Sequence, residues 1–589
     1  MDKVLFLATT ALEEFWDEGA DEIIFLTEGA KLYSCRHYWE NLDFVDAPYI
    51  WSSSAYKAEA FEECQHVYDF FLSLVAEELN SYHKVDKDKE YYRVLLGEWL
   101  FRFIQILYDR YFSLETAFSK YPDLTTYLLD PKQEYIPDSG EDFFDRVKTD
   151  EYNIQLYSQI LRIKENSFPI RRLSRVLKST RVIHNDSNSL RSFLKWAISR
   201  LMLKFSARPY TLLCNAYFGK SSLMKILKLF FSSRRQIVLN DMEGKIVLPK
   251  EIDYEYRIKD ILKNSYCSPF EKVVSKLVFC NLPIVYLEGY SSLLKSVRRQ
   301  KVNPPPLCIY TANALQNNII LKAYIAEYRK SLYISCHQHG GGYGIDQVAS
   351  GEYYERSIVD HFYTWGWEDG PASSYLPPPR DNIRWRPNHN KPYILLVMTA
   401  LPRYVDVLKA NTSSNDFLYQ YINLTKRFIA SLSIPFTLKV RFNKDDLGWS
   451  VEERLGELNG IVWEKDNHSK VFLEVLQHCE LFVVDHFMTT ALESLGNEVP
   501  TVVFFNPKMY LFKEEAKKLI HKLRLVGIVH DTPESAARHI SSISSNINAW
   551  WLREDVVAAR VKFVKKYAKF DKDWVKYWAD QISPIERNL

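Results

Sequence analysis

Residues 481–505 read "LFVVDHFMTTALESLGNEVPTVVFF". A short apolar run ends at Asp485, a helix-forming stretch follows it, and a second apolar run closes the segment. Because strands and helices that alternate in this way build parallel sheets, the stretch predicts a strand, a turn, a helix and a second strand of an α/β domain. Thr489 or Thr490 can cap the helix, and Glu493 follows Thr490 at the spacing of a capping box.

The same joint also suits an anion. Backbone N–H groups at the start of a helix lack partners within it, and two hydroxyl side chains beside them complete a phosphate site. The joint follows the carboxyl end of a strand, where open α/β sheets bind their ligands. Two interpretations of Thr489 and Thr490 therefore stay open, a helix cap and a contact with a nucleotide phosphate. Asp485 and His486 precede them at the same edge of the sheet.

The letters of residues 489–493 also occur near the start of the chain. The segment "KVLFLATTALEEFWD" (3–17) places Thr-Thr-Ala-Leu-Glu after another short apolar run. We interpret both copies as strand-to-helix turns, one in each of two Rossmann-like domains. The first copy, with Thr9, Thr10 and Glu13, either faces an acceptor or caps a helix, and the cap is favoured.

The bulk composition is that of an ordinary globular protein. The chain has 589 residues, enough for several domains, and a net charge of +2, which gives no general attraction for nucleic acid. The eight cysteines include no C-x-x-C pair, so we expect reduced thiols rather than disulfides or a zinc site. No stretch approaches the roughly 20 apolar residues of a membrane span. We expect a cytoplasmic protein, at most peripheral to the inner membrane.

Along the chain, the pattern predicts two α/β domains with a large helical insertion in the first. Residues 1–367 form the N-terminal, acceptor-side domain, and amphipathic periodicity marks an all-helical insertion at about 55–230. A Pro-, Asn- and Asp-rich stretch at 368–392 reads as a linker. Residues 393–545 form the C-terminal, nucleotide-sugar-binding domain, and 546–589 are helices that cross back.

Short apolar runs give the predicted strands. In the first half they are "RQIVLND", "PIVYLEG", "LCIYTA", "SLYISCH" and "DHFYTWGW", and in the second half "YILLVMTA", "FTLKVRF", "GIVWE", "LFVVD" and "PTVVFF". The segment "CNAYFGKSS" (214–222) ends like a phosphate loop but lacks the first glycine, and its flank "ARPYTLL" is no clear buried strand. We therefore expect no Walker site there.

A second candidate site follows the predicted strand "SLYISCH". Glycines in such a loop allow a ligand to approach the backbone closely, and acids follow soon after. A histidine beside a carboxylate can deprotonate an acceptor hydroxyl, and a carboxylate can act as a nucleophile. A plain flexible loop is the alternative, and a metal site is disfavoured because no third ligand stands at zinc spacing. The residues concerned are His337, His339, Gly340, Gly341, Gly342, Gly344, Asp346, Glu352 and Glu355.

Cations at strand ends complete the predicted donor site. Arg403 follows the strand "YILLVMTA", and Arg441 and Lys444 follow "FTLKV". Solvated surface charge is the simpler interpretation of each. If their loops line the same edge as Asp485, however, these cations suit a negatively charged donor.

The pattern D-x-x-x-T-T-A-L-E-x-L-x-x-x-x-P-T-V resembles the donor-nucleotide segment of GT-B glycosyltransferases. That resemblance implies that Thr489 and Thr490 hold phosphate and that Glu493 holds the ribose. The sequence "NEV" replaces the glycine that usually precedes the final P-T-V.

Two further segments resemble enzymes of bacterial surface carbohydrates. Residues 331–366 resemble capsule-synthesis enzymes, including the Kdo transferases. The matching residues are Gly344, Asp346, Glu352, Asp360, His361, Trp365 and Gly366. The acidic residue that precedes the glycine in those enzymes is His or Gly here, so the identity of a catalytic carboxylate stays open. The first 170 residues include "FLATTALEEFWD", "IIFLTEGAKLYS", "YYRVLLGEWLFRFIQILYDRYFSLETAF" and "YPDLTTYLLD". Through these segments, most of that stretch resembles a family of bacterial O-antigen and surface-carbohydrate transferases.

These patterns and resemblances together predict a GT-B glycosyltransferase of O-antigen, lipopolysaccharide or capsule synthesis. The donor implied is a CMP-linked nonulosonic acid or Kdo-like sugar, and the acceptor is a glycan or a lipid-linked glycan. The fold type needs no metal and we expect no cofactor. Two alternatives stay open, a CDP-polyol phosphotransferase on the same fold and a non-catalytic scaffold that keeps the nucleotide cleft.

Overall fold

The computed structural model describes most of the chain. The described residues are 3–185, 210–216, 218, 224–226, 228, 237–262, 267–300, 302, 305–380, 382–410, 421–442, 446–456, 458, 460–464 and 472–581.

Parallel strands dominate the sheets. The strands are β1 Leu5–Ala8, β2 Glu22–Phe25, β3 Phe44–Asp46, β4 Leu128–Leu129, β5 Ile170–Arg171, β6 Val182–Asn185, β7 Thr211–Cys214, β8 Ile237–Leu239, β9 Gly244–Val247, β10 Cys308–Thr311, β11 Tyr333–His337, β12 His361–Thr364, β13 Ser373–Tyr375, β14 Tyr393–Val397, β15 Thr437–Arg441, β16 Ile461–Trp463, β17 Leu481–Val484, β18 Thr501–Phe504 and β19 Val529–His530. Among their pairings only β6 with β9 is antiparallel.

Helices cover and connect the sheets. Their bounds are α1 Ser54–His83, α2 Lys89–Lys120, α3 Gly140–Arg146, α4 Asp150–Ile163, α5 Tyr254–Arg257, α6 Pro269–Asn281, α7 Tyr290–Arg299, α8 Ala314–Asn317, α9 Ile319–Tyr328, α10 Ser350–Ile358, α11 Asn423–Ser431, α12 Val451–Leu455, α13 Phe472–His478, α14 Thr489–Gly496, α15 Glu514–Leu525, α16 Pro533–Ile543, α17 Ile547–Trp551, α18 Glu554–Tyr567 and α19 Trp574–Gln581.

Two six-stranded parallel sheets confirm the prediction of two doubly wound α/β units. The first has the order β13-β12-β11-β10-β7-β8 and the second the order β16-β15-β14-β17-β18-β19. The central strands are buried along their whole length, as β14 and β17 show, because helices cover both faces of such a sheet. The predicted strands of the second half all appear, and the helix after β17 begins at Thr489 as expected.

The first half departs from the sequence interpretation at three places. The flank "ARPYTLL" does contain a strand, since β7 is buried and pairs with both β8 and β10. The run "PIVYLEG" forms no strand, and Ile284–Tyr286 is a 3₁₀ helix instead. Short apolar runs of this kind fit a buried strand and a buried turn equally well, which explains both errors. Ser373–Tyr375, in the predicted linker, adds the edge strand β13 to the first sheet.

The predicted all-helical insertion is shorter than expected. The long helices α1 and α2 are capped by Ser53 and Asp88, whose side chains accept the N–H groups of Tyr56 and Tyr91. The helical block ends with α4 at Ile163, and the strands β5, β6 and β7 follow within the range predicted to be helical.

The first Thr-Thr-Ala-Leu-Glu copy does not open an α-helix. It follows β1 in a separate three-stranded sheet, and a 3₁₀ helix, Glu13–Phe15, comes next. Two tertiary bonds fix this turn: the Ala11 N–H donates to Asp150 at 2.9 Å, and Trp16 Nε1 donates to the Thr10 carbonyl at 2.8 Å. The expectation of one strand-to-helix copy in each Rossmann-like sheet is therefore wrong for the first copy.

The last helix packs against the first six-stranded sheet. Trp574 and Trp578 on α19 lie in one buried cluster with Leu213 of β7 and Tyr310 of β10. The end of the described chain thus contacts the first half of the molecule. No helix in the described ranges has the length and apolar character needed to cross a bilayer, and this includes α1 and α2 with 30 and 32 residues.

Candidate functional site

The carboxyl ends of strands from the two six-stranded sheets meet at one place. The glycine loop after β11 lies against the start of α14, and the Gly341 N–H donates to Thr489 Oγ1 at 2.8 Å. A Cβ atom on Gly341 would lie 2.4 Å from the backbone carbonyl carbon of Met488 and 2.4 Å from the Thr489 nitrogen. Only glycine permits this approach, so the loop sequence and the joint between the sheets depend on each other.

The predicted capping box is absent. Met488 occupies the N-cap position of α14 without a side-chain cap bond, and Thr489 and Thr490 are the first helical residues. Glu493 does not turn back to the helix start, since its carboxylate pairs with Arg380. Thr489 and Thr490 remain half-buried beside the glycine loop.

A row of hydrogen bonds holds the second threonine. Asp485 Oδ1 accepts the Thr399 N–H at 2.8 Å and lies 2.9 Å from His486 Nδ1. The other ring nitrogen, His486 Nε2, lies 3.1 Å from Thr490 Oγ1. The row therefore fixes the direction of the Thr490 hydroxyl. Asp485 Oδ2 is buried and has no hydrogen-bond partner within the described part of the chain.

Arg380 is a site residue that the sequence interpretation missed. It lies in the predicted linker, forms an ion pair with Glu493, and its guanidinium centre is 6.0 Å from the centroid of the Trp365 ring. Burial and then the charge of His339 lower the pKa of His337, and the positive charge of Arg380 adds to this effect. The same charge opposes the rise in the pKa of His339. One signal could have found it, an Arg directly after the Pro run of the segment that joins the two sheets.

His339 is held by a buried carboxylate. Glu355 on α10 has no exposed surface. It accepts bonds from Gln316 Nε2 at 2.7 Å and Tyr343 Oη at 2.9 Å, and Oε1 lies 2.9 Å from His339 Nε2. Burial lowers the pKa of His339, but the charge of Glu355 and the bond to it outweigh burial and raise that pKa overall. A carboxylate that orients an imidazole in this way is typical of general bases.

His337 differs from His339 in its surroundings. It is 2% exposed, Tyr310 Oη lies 2.8 Å from its Nδ1, and the Trp578 ring packs edge-on with centroids 4.8 Å apart. Burial, followed by the charge of His339, lowers the pKa of His337 well below its ordinary value. His337 is therefore a neutral, packed residue beneath the loop.

Asp346 and Glu352 follow the glycine loop in the sequence, and both line one pocket. Glu352 Oε2 accepts the Gly344 N–H at 2.8 Å, and Oε1 lies 3.0 Å from Lys513 Nζ. Burial, and then the charge of Glu352, raises the pKa of Asp346 well above its ordinary value. Gly344 has φ +71° and lies under the Trp367 ring, which leaves no room for a Cβ atom.

Arg403 lies in a joint between the two halves of the molecule. Its guanidinium contacts the Gly29 carbonyl and pairs with Asp150, which also accepts a bond from Tyr404. Asp150 is the residue that holds the first Thr-Thr-Ala-Leu-Glu turn, in which Thr10 is 1% exposed. The ion-pair partner of Arg403 is therefore Asp150 and not a residue of the α14 joint.

The remaining predicted residues are dispersed. Thr9 is buried after β1, and Glu13 lies in the 3₁₀ helix that follows. Arg441 ends β15 and is half-buried, with its guanidinium 5.9 Å from the Phe472 ring centroid. His361 begins β12, at the amino end of that strand, and its Nε2 lies 2.8 Å from Ser374 Oγ. Lys444 lies outside the described residues.

Side chains of the kinds that bind metal do not cluster here. In the described ranges no group of three or more His, Cys, Asp or Glu residues has the geometry to hold a metal ion.

Comparison with known proteins gives one match over nearly the whole chain. The family described as LIC12162 family transferase matches residues 5–582. No curated protein matches the sequence.

Several solved structures align with part of this chain. MurG from Acinetobacter baumannii is 10% identical with a TM-score of 0.35 and covers 64% of this chain and 100% of its own. A glycosyltransferase from Rickettsia africae is 11% identical with a TM-score of 0.35 and covers 65% and 100%. The UDP-GlcNAc 2-epimerase from Neisseria meningitidis is 9% identical with a TM-score of 0.32 and covers 67% and 96%. Likenesses this distant carry no argument about this chain.

Proposed function

The chain belongs to the LIC12162 family of transferases, and on that premise we propose that it transfers a sugar from a nucleotide-activated donor to an acceptor hydroxyl. One observation carries the proposal. The glycine loop of one sheet contacts the helix start of the other, and His339 with Glu355 and Arg380 with Glu493 border that contact. A base for the acceptor hydroxyl and groups that can bind the donor phosphate thus lie together at the edge where α/β sheets bind their ligands.

The donor phosphate binds at the start of α14. Backbone N–H groups there carry partial positive charge and can donate to a phosphate, and the Thr490 side chain beside them lies 3.1 Å from His486 Nε2. Arg380 supplies a full positive charge next to the same helix, where it pairs with Glu493. Arg suits this role because its planar guanidinium can bond two phosphate oxygens at once.

Donor binding exchanges the partners of Arg380. In the structure Arg380 pairs with Glu493, which is 3% exposed. A phosphate near Arg380 competes for the guanidinium, and the released Glu493 carboxylate then accepts bonds from the ribose hydroxyls. The exchange avoids leaving a buried charge without a partner, which would cost several kcal/mol.

His339 acts as the base in the transfer step. The acceptor oxygen forms a bond to the anomeric carbon, and the bond from that carbon to the donor phosphate breaks. The departing nucleotide keeps the electron pair of that bond, and its charge is stabilised at the helix start. The acceptor proton passes to His339, and the resulting imidazolium is stabilised by Glu355 at 2.9 Å.

The finer identity of the substrates rests on sequence resemblance. Residues 331–366 resemble enzymes that include the Kdo transferases, which favours a CMP-linked nonulosonic acid or Kdo-like donor. The resemblance of the first 170 residues to O-antigen transferases favours a glycan or lipid-linked acceptor of a bacterial surface polysaccharide. We place this reaction at the cytoplasmic face of the inner membrane.

A donor panel tests the proposal. The purified chain is incubated with CMP-, UDP-, GDP- and dTDP-sugars, with CDP-glycerol, and with a mixed glycan acceptor, and release of the nucleotide is followed. Release with one donor, with no phosphorus in the product, is the expected result, and it falls at least 100-fold in His339→Ala. Phosphorus in the product would indicate a polyol phosphotransferase. No release with any donor, together with no nucleotide binding, would contradict the proposal.

A further inference from the structure

A second pocket adjoins the glycine loop and has no part in the steps above. Its volume is about 410 Å³, within the usual range for small-molecule sites. Its wall combines three elements that are remote in sequence, namely α1, the segment 346–372 and Lys513 just before α15. Lys513 comes from the second half of the chain, so the pocket forms only when the two halves are in contact.

A buried carboxyl group faces this pocket. Asp346 lines it and is 5% exposed, and its Oδ1 has no hydrogen-bond partner among the residues that the structure describes. An unsatisfied buried polar atom costs about 1–3 kcal/mol, so a hydroxyl group that hydrogen-bonds to Asp346 would offset that cost. Asp346 also touches the glycine loop, since a Cβ atom on Gly342 would lie 2.8 Å from its Oδ2.

The charges around the pocket are already paired. Lys513 Nζ lies 3.0 Å from Glu352, and Arg356 contacts Glu352 at 3.2 Å. Arg356 also binds Asp369 through both terminal nitrogens at 2.6 Å. A phosphate or a carboxylate ligand would therefore have to displace Glu352 or Asp369 from these cations.

A cationic ligand is also disfavoured. Burial, and then the negative charge of Glu352, favours the protonated form of Asp346 by raising its pKa well above the ordinary value. A neutral carboxyl group attracts an ammonium group weakly, but it both donates and accepts hydrogen bonds. The partner that it suits is an uncharged hydroxyl.

The rest of the wall fits a sugar ring. Gln65 and Gln347 bring amide groups, which donate and accept hydrogen bonds as neighbouring ring hydroxyls do. Phe61, Tyr353 and Phe362 bring aromatic surface that can cover the apolar face of a ring. Polar groups at a few points on an apolar wall fix the orientation of a bound molecule.

We infer that this pocket binds an uncharged sugar ring through the Asp346 carboxyl group. Its position beside the glycine loop makes the ring part of the acceptor glycan, and this assignment alone rests on the proposed glycosyl transfer. The binding itself does not depend on any donor.

Direct binding of simple glycosides tests the inference. The full chain is titrated with methyl glycosides of glucose, galactose, mannose, rhamnose and N-acetylglucosamine, and with glucose 1-phosphate and inorganic phosphate, by saturation-transfer NMR and calorimetry. At least one uncharged glycoside binds. Asp346→Asn keeps that affinity within about threefold, because the amide replaces a neutral carboxyl, whereas Asp346→Ala loses at least tenfold. Glu288→Gln, a buried carboxylate paired with Arg257 elsewhere, is the control and binds like the wild type.

A second variant guards against a folding defect. Ser357 lines the pocket on α10, and Ser357→Phe fills part of it while leaving Asp346 unchanged in sequence. It abolishes glycoside binding, and melting curves check that it is folded. The inference is overturned if no glycoside binds, if only the phosphorylated probes bind, or if binding survives both Asp346→Ala and Ser357→Phe. Nucleotide binding, measured in parallel, reports separately on the proposed donor site.

Discussion

Replacing Glu355 by Gln tests how His339 works. The change keeps the size of the side chain and removes its charge, 2.9 Å from His339 Nε2. A hydrogen bond to a charged group contributes about 1.5–3 kcal/mol, and about 1.4 kcal/mol corresponds to a tenfold change in rate. If the imidazolium forms in the transition state, kcat of Glu355→Gln falls about 10- to 100-fold. Steady-state nucleotide release with the donor that the panel identifies measures it.

The pH profile separates this role from a merely structural one. His339 must be neutral to accept a proton, so activity rises with pH through its pKa, which Glu355 raises. Glu355→Gln lowers that pKa, and the acid limb of kcat/KM moves to lower pH. Glu288→Gln removes the charge of another carboxylate whose side chain is only 6% exposed, and it leaves the limb in place. A limb that stays fixed in Glu355→Gln, or a loss of kcat that equals the control's, would refute the reasoning.

Three further predictions concern the stability of the protein. Gly341→Ala pushes a methyl group into the backbone at Met488, so it lowers the free energy of unfolding by about 1–3 kcal/mol and abolishes nucleotide release. Gly19→Ala is the control: its methyl group has room, and both the melting temperature and the activity stay unchanged. Arg403→Ala leaves Asp150 without its buried cation, so urea unfolding shows that the free energy of unfolding falls by about 3–5 kcal/mol. The KM for the donor stays within twofold of the wild-type value. A large rise in KM would instead indicate that Arg403 contacts the donor. His337 has a lowered pKa when folded, so its contribution to stability is present above the unfolded pKa of about 6.5 and is lost as pH falls below it. The melting temperature of His337→Gln should therefore fall less than that of the wild type between pH 7 and pH 5, and equal falls would contradict this.

The second half of the fold could be predicted because its strands have strong local signals. Its apolar runs are bounded by polar turns, and the helix at Thr489 begins where the sequence places it. The first half could not be predicted as well. The strand Thr211–Cys214 is buried on both faces and shows no alternation, so only its parallel neighbours identify it.

The candidate site was found from sequence at the level of its loops. His339 and Thr489 follow the carboxyl ends of two strands. Open α/β sheets bind their ligands at that edge, so the sequence predicts both residues there. The partners were not visible, because the bonds of Glu355 with Gln316 and of Arg380 with Glu493 join segments far apart in the chain. Two identical pentapeptides also have different structures, since Asp150 and Trp16 hold the first one.

A crystal structure with the product nucleotide tests the central claim most directly. We predict a phosphate oxygen within hydrogen-bonding distance of Thr490 and of Arg380. We also predict that Glu493 leaves Arg380 and accepts bonds from the ribose hydroxyls. A nucleotide bound elsewhere, with the ion pair of Arg380 and Glu493 intact, would contradict the account.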